Sequence, residues 1–259
     1  MKRDIDGVLL IDKPEGITSA HVVRVVKRTL NAKKVGHGGT LDPLGTGLLV
    51  LLLGRGTKLS SLFLDGEKSY SGLIRLGCAT DTDDITGQIV ETDAEIATRF
   101  PAQARQSVEE RIHRSFTGTL SQVPPAYSAL KVGGKRSYDL AREGTLVEHA
   151  PREVSISALQ VEFVSANTLK YFVRCSKGTY VRSLARDIGR AIGTCGCLES
   201  LRREECGGFS VSSACELERL SLDNFHEFLV GVEEVKAIKG VGNAVGLRSL
   251  EPGNSVATD

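Results

Sequence analysis

The chain has no hydrophobic run long enough to cross a membrane. Its longest, residues 48–53, falls far short of the roughly 20 apolar residues that a spanning helix needs. The start, Met1-Lys2-Arg3-Asp4-Ile5-Asp6, is charged and leads straight into an apolar segment, so no secretory signal is read there. A disulfide framework is missing too: six cysteines stand at irregular positions, which fits a reducing cytosol and a cytoplasmic location. Cys195-Gly196-Cys197 lacks the Cys-x-x-Cys spacing and the second paired motif of a zinc site. The acidic stretch of residues 79–87 is a poor calcium loop: counted from Asp81, it has Ile85 at the fifth position and Thr86 where the glycine belongs. It reads as a hydrogen-bonded turn.

Net charge is also nearly absent, at +1 from 33 basic and 32 acidic residues. Its distribution is uneven. Residues 170–203 carry Lys170, Arg174, Lys177, Arg182, Arg186, Arg190, Arg202 and Arg203 against only Asp187 and Glu199, whereas the stretch after residue 212 is acidic. That pattern predicts a polyanion-binding face inside a neutral total.

What is present is a composition ordinary for a globular protein, 41% hydrophobic and 25% charged over 259 residues. This length can bury a sizeable core in one large domain, or in a domain with an appendage. Residues 7–11 read as a buried strand running into a tight loop at Lys13-Pro14-Glu15-Gly16. Thr18 or Ser19 caps a helix whose apolar positions, Val22, Val23, Val25, Val26 and Leu30, keep helical spacing. Residues 68–76 and 169–176 alternate as strands. Residues 107–116 and 181–192 read as helices. Between them, residues 118–151 form a segment rich in turn formers that carries Tyr127, Lys131, Lys135, Arg136, Tyr138 and Arg142. Rings interleaved with cations suit a nucleic-acid grip.

The stretch Val35-Gly36-His37-Gly38-Gly39-Thr40-Leu41-Asp42-Pro43-Leu44-Gly45 concentrates the chemistry. A single carboxylate sits in a glycine-rich turn, followed by a proline that restricts the backbone on both sides. Such a carboxylate is presented rigidly, as a nucleophile, a base or a metal ligand requires. Dinucleotide-binding spacing fails here, because Leu41 and Val50 stand where third glycines belong. Lys58 lacks the upstream glycines of a phosphate-binding loop. A nucleotide cofactor is therefore not supported.

These segments together resemble the TruB family of tRNA pseudouridine synthases. The resemblance rests on Asp12-Lys13-Pro14-Glu15-Gly16-Ile17-Thr18-Ser19, Gly36-His37-Gly38-Gly39-Thr40-Leu41-Asp42-Pro43, Ser176-Lys177-Gly178-Thr179-Tyr180-Val181-Arg182 and Leu201-Arg202-Arg203 with Gly207 and Phe209. The segment from Pro125-Ala126-Tyr127-Ser128-Ala129-Leu130-Lys131 through Arg142 resembles the family's RNA-gripping thumb. Five motifs stand in family order over roughly residues 5–215.

The resemblance implies an α/β (α+β) pseudouridine synthase fold: a central, mainly antiparallel mixed sheet flanked by helices and loops, with a thumb insertion at about 118–151. It implies isomerisation of uridine 55 in the T loop of tRNA after the base is flipped, with no cofactor, no metal and no membrane partner. A monomer is expected. Asp42 matches the catalytic aspartate, and Arg182 the arginine that pairs with it. Tyr70 matches the tyrosine that stacks on the base, Tyr180 a second tyrosine at the nucleotide, and Leu201 an apolar wall. His37 matches a histidine that fills the space the base vacates. Two departures stand out. Gly45 replaces a frequent alanine, and residues 216–259 are too short for the RNA-binding PUA domain common in bacterial members. The expected organisation is a catalytic domain over 1–215 and a short acidic segment with a reduced or absent PUA domain. The competing readings are a non-catalytic tRNA-binding or folding module, and a homologue that modifies a different RNA stem-loop.

Overall fold

The computed structural model describes residues 1–128, 130–142, 147 and 149–241. Two long apolar strands lie at its centre, β1 (Gly7–Lys13) and β3 (Gly45–Leu53), paired antiparallel along their length. Both faces of this pair are covered, which is why the strands read as nearly unbroken apolar runs. On one face Leu9, Ile11, Leu49, Leu51 and Leu53 pack under helix α1 (Ser19–Thr29), which contributes Val22 and Val26. On the other, Val8, Leu10, Leu48, Val50 and Leu52 meet Leu59, Phe63 and Phe209. The Thr18 side chain caps α1 by accepting from His21 N, as its position predicts. The short strand β2 (Val35–His37) follows α1 and pairs with the end of β3.

The chain continues through α2 (Ser60–Leu64) to β4 (Lys68–Leu76). A small hairpin, β5 (Cys78–Thr80) with β6 (Ile89–Thr92), encloses the acidic turn. Next come α3 (Ile96–Arg99), α4 (Ala102–Phe116) and β7 (Gly118–Gln122). A second hairpin, β8 (Lys131–Val132) with β9 (Lys135–Arg136), precedes α5 (Ser137–Arg142). Strands β10 (Arg152–Phe163) and β11 (Thr168–Cys175), helix α6 (Val181–Ala191) and strand β12 (Gly196–Cys206) then complete a second packed layer. There, Val181, Leu184, Ala185 and Ile188 of α6 and Ile112 of α4 cover Ile74, Leu159, Leu169 and Val173.

Apart from the two hairpins, the strands form one eleven-stranded sheet, in the order β14 (Cys215–Glu216)-β1-β3-β12-β4-β11-β10-β7, with further strands on its sides. Its pairs are antiparallel except β1–β14 and β3–β12. The sheet is mixed and mainly antiparallel, as expected. The short parallel contact of β3 with β12 sets Leu201 against Gly45 and Arg203 against Gly47. Gly47 has φ +90°, and a side chain there would collide with the Arg203 backbone, so glycine is what permits this pairing.

Two further segments join the sheet. Residues 118–122 form β7, the edge strand on β10. Part of the stretch after residue 212 also enters it. After β13 (Phe209–Ser210), β14 (Cys215–Glu216) and β15 (Leu229–Val230) both pair with β1. Leu217, Leu220 and Phe225 enter the core beneath α1, and Val235 of α7 (Val232–Val241) is buried on the other face. Apolar positions scattered among acidic residues conceal this packing from a charge count. The side chains of Lys131, Lys135, Arg136, Tyr138 and Arg142 lie outside the described residues, as does the run 242–259.

Phe225 is 2% exposed. Its truncation to alanine should cost about 3–5 kcal/mol of global stability, the range for emptying a buried aromatic site. Urea unfolding of Phe225→Ala checks this. A midpoint equal to that of the parent chain would mean that the segment is not part of the cooperative unit.

Candidate active site

Residues 38–44 join β2 to β3 and carry Asp42, and the polar backbone atoms of this loop are largely taken. Ser19 Oγ donates to Leu41 O at 2.9 Å and accepts from Leu41 N at 2.8 Å. Pro43 O accepts from Gly16 N at 2.8 Å and from Lys13 Nζ at 3.3 Å. Gly45 N closes the turn on Asp42 O at 3.0 Å. From the sheet side, Arg203 Nη2 donates to Gly39 O at 3.2 Å, Nη1 to Thr40 O at 3.3 Å and Nε to Leu48 O at 2.6 Å.

Two buried cations thus hold the loop by its carbonyls. Lys13 is 0% and Arg203 1% exposed. Such charges are tolerable only when their protons are satisfied, and Lys13 also donates to Pro14 O and Ile17 O, each at 2.8 Å. Burial pushes the Lys13 ammonium down to about 8, with Asp42 acting in the opposite sense.

Asp42 itself meets Arg182, Nη2 to Oδ2 at 2.8 Å, with 9% of the arginine side chain and 43% of the aspartate side chain exposed. Arg182 sits in the first turn of α6 and is fixed from two further sides. Its Nη1 donates to Thr82 O at 3.0 Å and its Nη2 to Tyr127 O at 2.9 Å. The Asp84 carboxylate lies 3.8 Å from Nε. The entry of α6 is locked as well: the buried Gln122 amide accepts from Tyr180 N at 2.8 Å and donates to Tyr180 O at 3.1 Å. The acidic turn, read from sequence as a hydrogen-bonded turn, therefore seats the arginine that faces Asp42. Asp84 Oδ1 organises that turn by accepting from Thr86 N at 3.0 Å and Thr82 Oγ1 at 3.0 Å.

A pocket of about 200 Å³ opens in front of the pair, lined by Asp42, Arg182, Tyr70, Tyr180 and Leu201, with Thr40, Leu41, Thr179 and Val181 filling the wall between them. Cross-strand register explains the convergence. Tyr70 on β4 lies opposite Arg203 on β12, and Leu201, two residues earlier, is opposite Gly72. Burial pushes the Tyr70 hydroxyl up to about 12, with Arg203 pulling the other way, so it stays a neutral phenol at working pH. Burial also raises the Tyr180 hydroxyl. At Gly45, a methyl group would come within 3.2 Å of both Leu201 Cδ2 and Leu41 Cδ2. The glycine therefore leaves slack behind the apolar wall where the family often has alanine.

Five of the six residues singled out from sequence thus border one pocket. His37 does not: it ends β2, accepts from Gly39 N at 3.4 Å through Nδ1, and is kept below its usual pKa by burial and then by Arg203. Sequence reasoning missed Arg203 and Gln122 as supports. Arg203 was counted as surface charge, and only its position two residues after Leu201, on the same strand face, hinted otherwise.

The polyanion face expected over residues 170–203 is also corrected. Arg174 pairs with Glu205 at 2.6 Å, Lys177 with Asp65 at 2.9 Å, Arg186 with Asp83 at 2.7 Å and Arg202 with Asp12 at 2.7 Å. With Arg182 and Arg203 also engaged, six of the eight cations have partners, and only the Lys177 pair is more than half exposed on both sides and so holds its cation weakly. Carboxylates distant in sequence supply most of the partners.

Known proteins share both the fold and the sequence. The fold matches a chain of a crystallised Cbf5–Nop10–Gar1 complex with a TM-score of 0.66 at 26% identity, covering 88% of this chain and 61% of that one. The present chain thus spans about three fifths of that structure. It is similar, at 47% identity over 219 residues (85% of this chain, 69% of the relative), to a protein of Aromatoleum aromaticum named tRNA pseudouridine synthase B. A protein of the same name from Bordetella parapertussis is 42% identical over 234 residues, 90% of this chain and 94% of that protein. Residues 27–181 match the N-terminal domain model of the TruB family pseudouridylate synthases. The chain belongs to the TruB family of pseudouridine synthases, which are isomerases.

Two outcomes follow from the buried cations. Lys13 loses its proton near pH 8, so its hold on Pro43 weakens as pH rises through that value. Pseudouridine formation should fall on the alkaline side with a midpoint near 8, and Lys13→Arg, charged throughout this range, should shift the fall upward; an identical alkaline limb assigns it to another group. Arg203→Met strands three carbonyl groups and should lower stability in urea by about 3 kcal/mol or more.

Proposed function

We propose that this chain converts uridine 55 in the T loop of tRNA to pseudouridine, engaging the T stem-loop as a monomer and using Asp42 without a cofactor. The relatives' shared name supports tRNA as the substrate. The observation that carries the chemistry is the Asp42–Arg182 pair at 2.8 Å, open on its pocket side between two tyrosines and a leucine.

The reaction moves no atoms into or out of the substrate. The glycosidic C–N bond breaks, the base turns, a C–C bond from its C5 to the same ribose carbon forms, and C5 gives up its proton while the freed N1 gains one. A base inside a stacked loop cannot be approached in this way, so it is first flipped out, at a cost of roughly a few kcal/mol. Stacking on the Tyr70 ring returns about 1–3 kcal/mol of that. Leu201 closes the apolar side and Tyr180 lies at the nucleotide, while His37 fills the space the base leaves. A pocket of about 200 Å³ is smaller than the clefts that take drug-sized ligands and suits one nucleobase.

Asp42 works at the glycosidic bond, either by adding to the nucleoside or by assisting the cleavage. Arg182 aims the carboxylate, and two more of its protons, bound to Thr82 O and Tyr127 O, keep it from swinging away to solvent. The clamps on residues 39–43 keep the aspartate from following the base as it turns. A rigid carboxylate of this kind supplies the fixed geometry that such a transfer demands.

Modification mapping on a T-arm transcript and on full-length tRNA tests the reading. A new pseudouridine is expected at the T-loop uridine, and its absence at saturating enzyme would remove the assignment. Asp42→Asn should keep tRNA affinity and lose turnover by about a thousandfold or more, within the scale attributed to acid–base groups acting on the reacting atoms. Turnover unchanged in that variant would exclude Asp42 as the catalytic group.

A further inference from the structure

The cations between residues 170 and 203 are largely spent inside the fold, but another row stays open. Helix α1 carries Arg24, Lys27 and Arg28 at i, i+3 and i+4 spacing, all exposed, and its sequence SAHVVRVVKRT has no acid. Lys33 and Lys34 follow, also exposed. The N-terminal chain lies alongside: Arg3 N donates to Asn31 O at 2.8 Å and Lys33 N to Arg3 O at 3.1 Å, which adds the exposed Arg3 to the same edge. Of these six, only Lys33 has a carboxylate partner among the described residues, Asp4 at 2.6 Å, with both side chains more than half exposed. An exposed pair of that kind holds its cation weakly.

The position of the row matters as much as its charge. The first residue of α1, Ser19, is the one whose hydroxyl clamps Leu41 beside Asp42. Arg28 stands nine residues further along the helix, about 14 Å away at 1.5 Å per residue. From Lys34 the chain returns along β2 to His37 and the Asp42 loop. The open cations thus lie on elements continuous with those that hold the Asp42 loop.

We propose that this face of α1 docks the phosphate backbone of the RNA substrate outside the flipped nucleotide. The inference rests on the RNA-modifying reading above and adds a surface to it. Favourable interaction with the helix dipole accounts for Lys27 and Arg28 in the last turn, but not for Arg24, Lys34 or Arg3. A basic helix can also lie on anionic lipid, but it then needs a free apolar face; here Val22 and Val26 are fully buried in the core. Charge with no apolar face to insert fits a phosphate backbone.

The test uses the full chain with Arg24, Lys27 and Arg28 all changed to glutamine, a good helix former at exposed positions. Affinity for a full-length tRNA transcript is measured between about 50 and 200 mM salt, with turnover at saturating tRNA measured in parallel. Each lost phosphate contact should flatten the plot of log affinity against log salt by about 0.7–0.9, so the slope should change by about two to three. The affinity deficit relative to the parent chain should shrink by roughly fifteen- to sixtyfold between about 50 and 200 mM salt, with turnover at saturation retained. The charge-conserving set Arg24→Lys, Lys27→Arg and Arg28→Lys should restore both slope and affinity. Unchanged affinity and slope in the glutamine variant would overturn the proposal, as would loss of binding to anionic vesicles with tRNA affinity intact. Failure of the parent chain to bind or modify tRNA would instead strike the function proposed above.

Discussion

The ion pair between Asp42 and Arg182 is the contact on which the site depends, and the fold makes it asymmetric. The arginine is buried while the aspartate keeps an open side. A guanidinium bears this better than an ammonium would, because it is weakly hydrated and offers a fork of donors that backbone carbonyls can fill. Thr82 O and Tyr127 O fill that fork from segments far apart in sequence. One carbonyl comes from the acidic turn behind β4 and the other from the insertion after β7. Their convergence on Arg182 ties both peripheral segments to the candidate site.

A second layer of constraint acts on the loop itself. Loops that carry function are ordinarily the mobile part of a domain, and a carboxylate placed about 1 Å too loosely loses much of its value. Here Lys13, Gly16 and Ser19 hold residues 41 and 43, and Arg203 holds residues 39 and 40. The N-terminal segment is therefore a brace for the loop. Strand β12 has a double part, since Leu201 borders the pocket and Arg203, two residues on, reaches beneath the loop. The parallel contact with β3 makes both possible, and it exists because Gly47 admits a close backbone approach.

The local elements were legible in the sequence because each is set by short-range chemistry. The Thr18 cap, the helical spacing of Val22 and Val26, and the alternation over Lys68–Leu76 all appear where the pattern places them. The family motifs also marked Asp42, Tyr70, Tyr180, Arg182 and Leu201, which now border one pocket. What misled was charge. Residues 170–203 looked like a binding face, yet Asp12, Asp42, Asp65, Asp83 and Glu205 neutralise much of it from other elements. The acidic character of the stretch after residue 215 likewise hid Leu217, Leu220 and Phe225, which belong to the central core.

From the sequence alone came the family resemblance, the aspartate in its glycine-rich loop, and several of the strands and helices, because residue type and near-neighbour spacing carry that information. The tertiary structure decided which cations are free and which are spent, since an ion pair depends on distance in space and not along the chain. It also decided that Arg203 and Gln122 brace the site, that His37 stands beside the pocket and not in its wall, and that Cys215–Glu216 and Leu229–Val230 join the sheet. Those outcomes turn on register: β12 pairs with β3 on one side and β4 on the other, and only that arrangement brings Leu201, Arg203 and Tyr70 to the same aspartate.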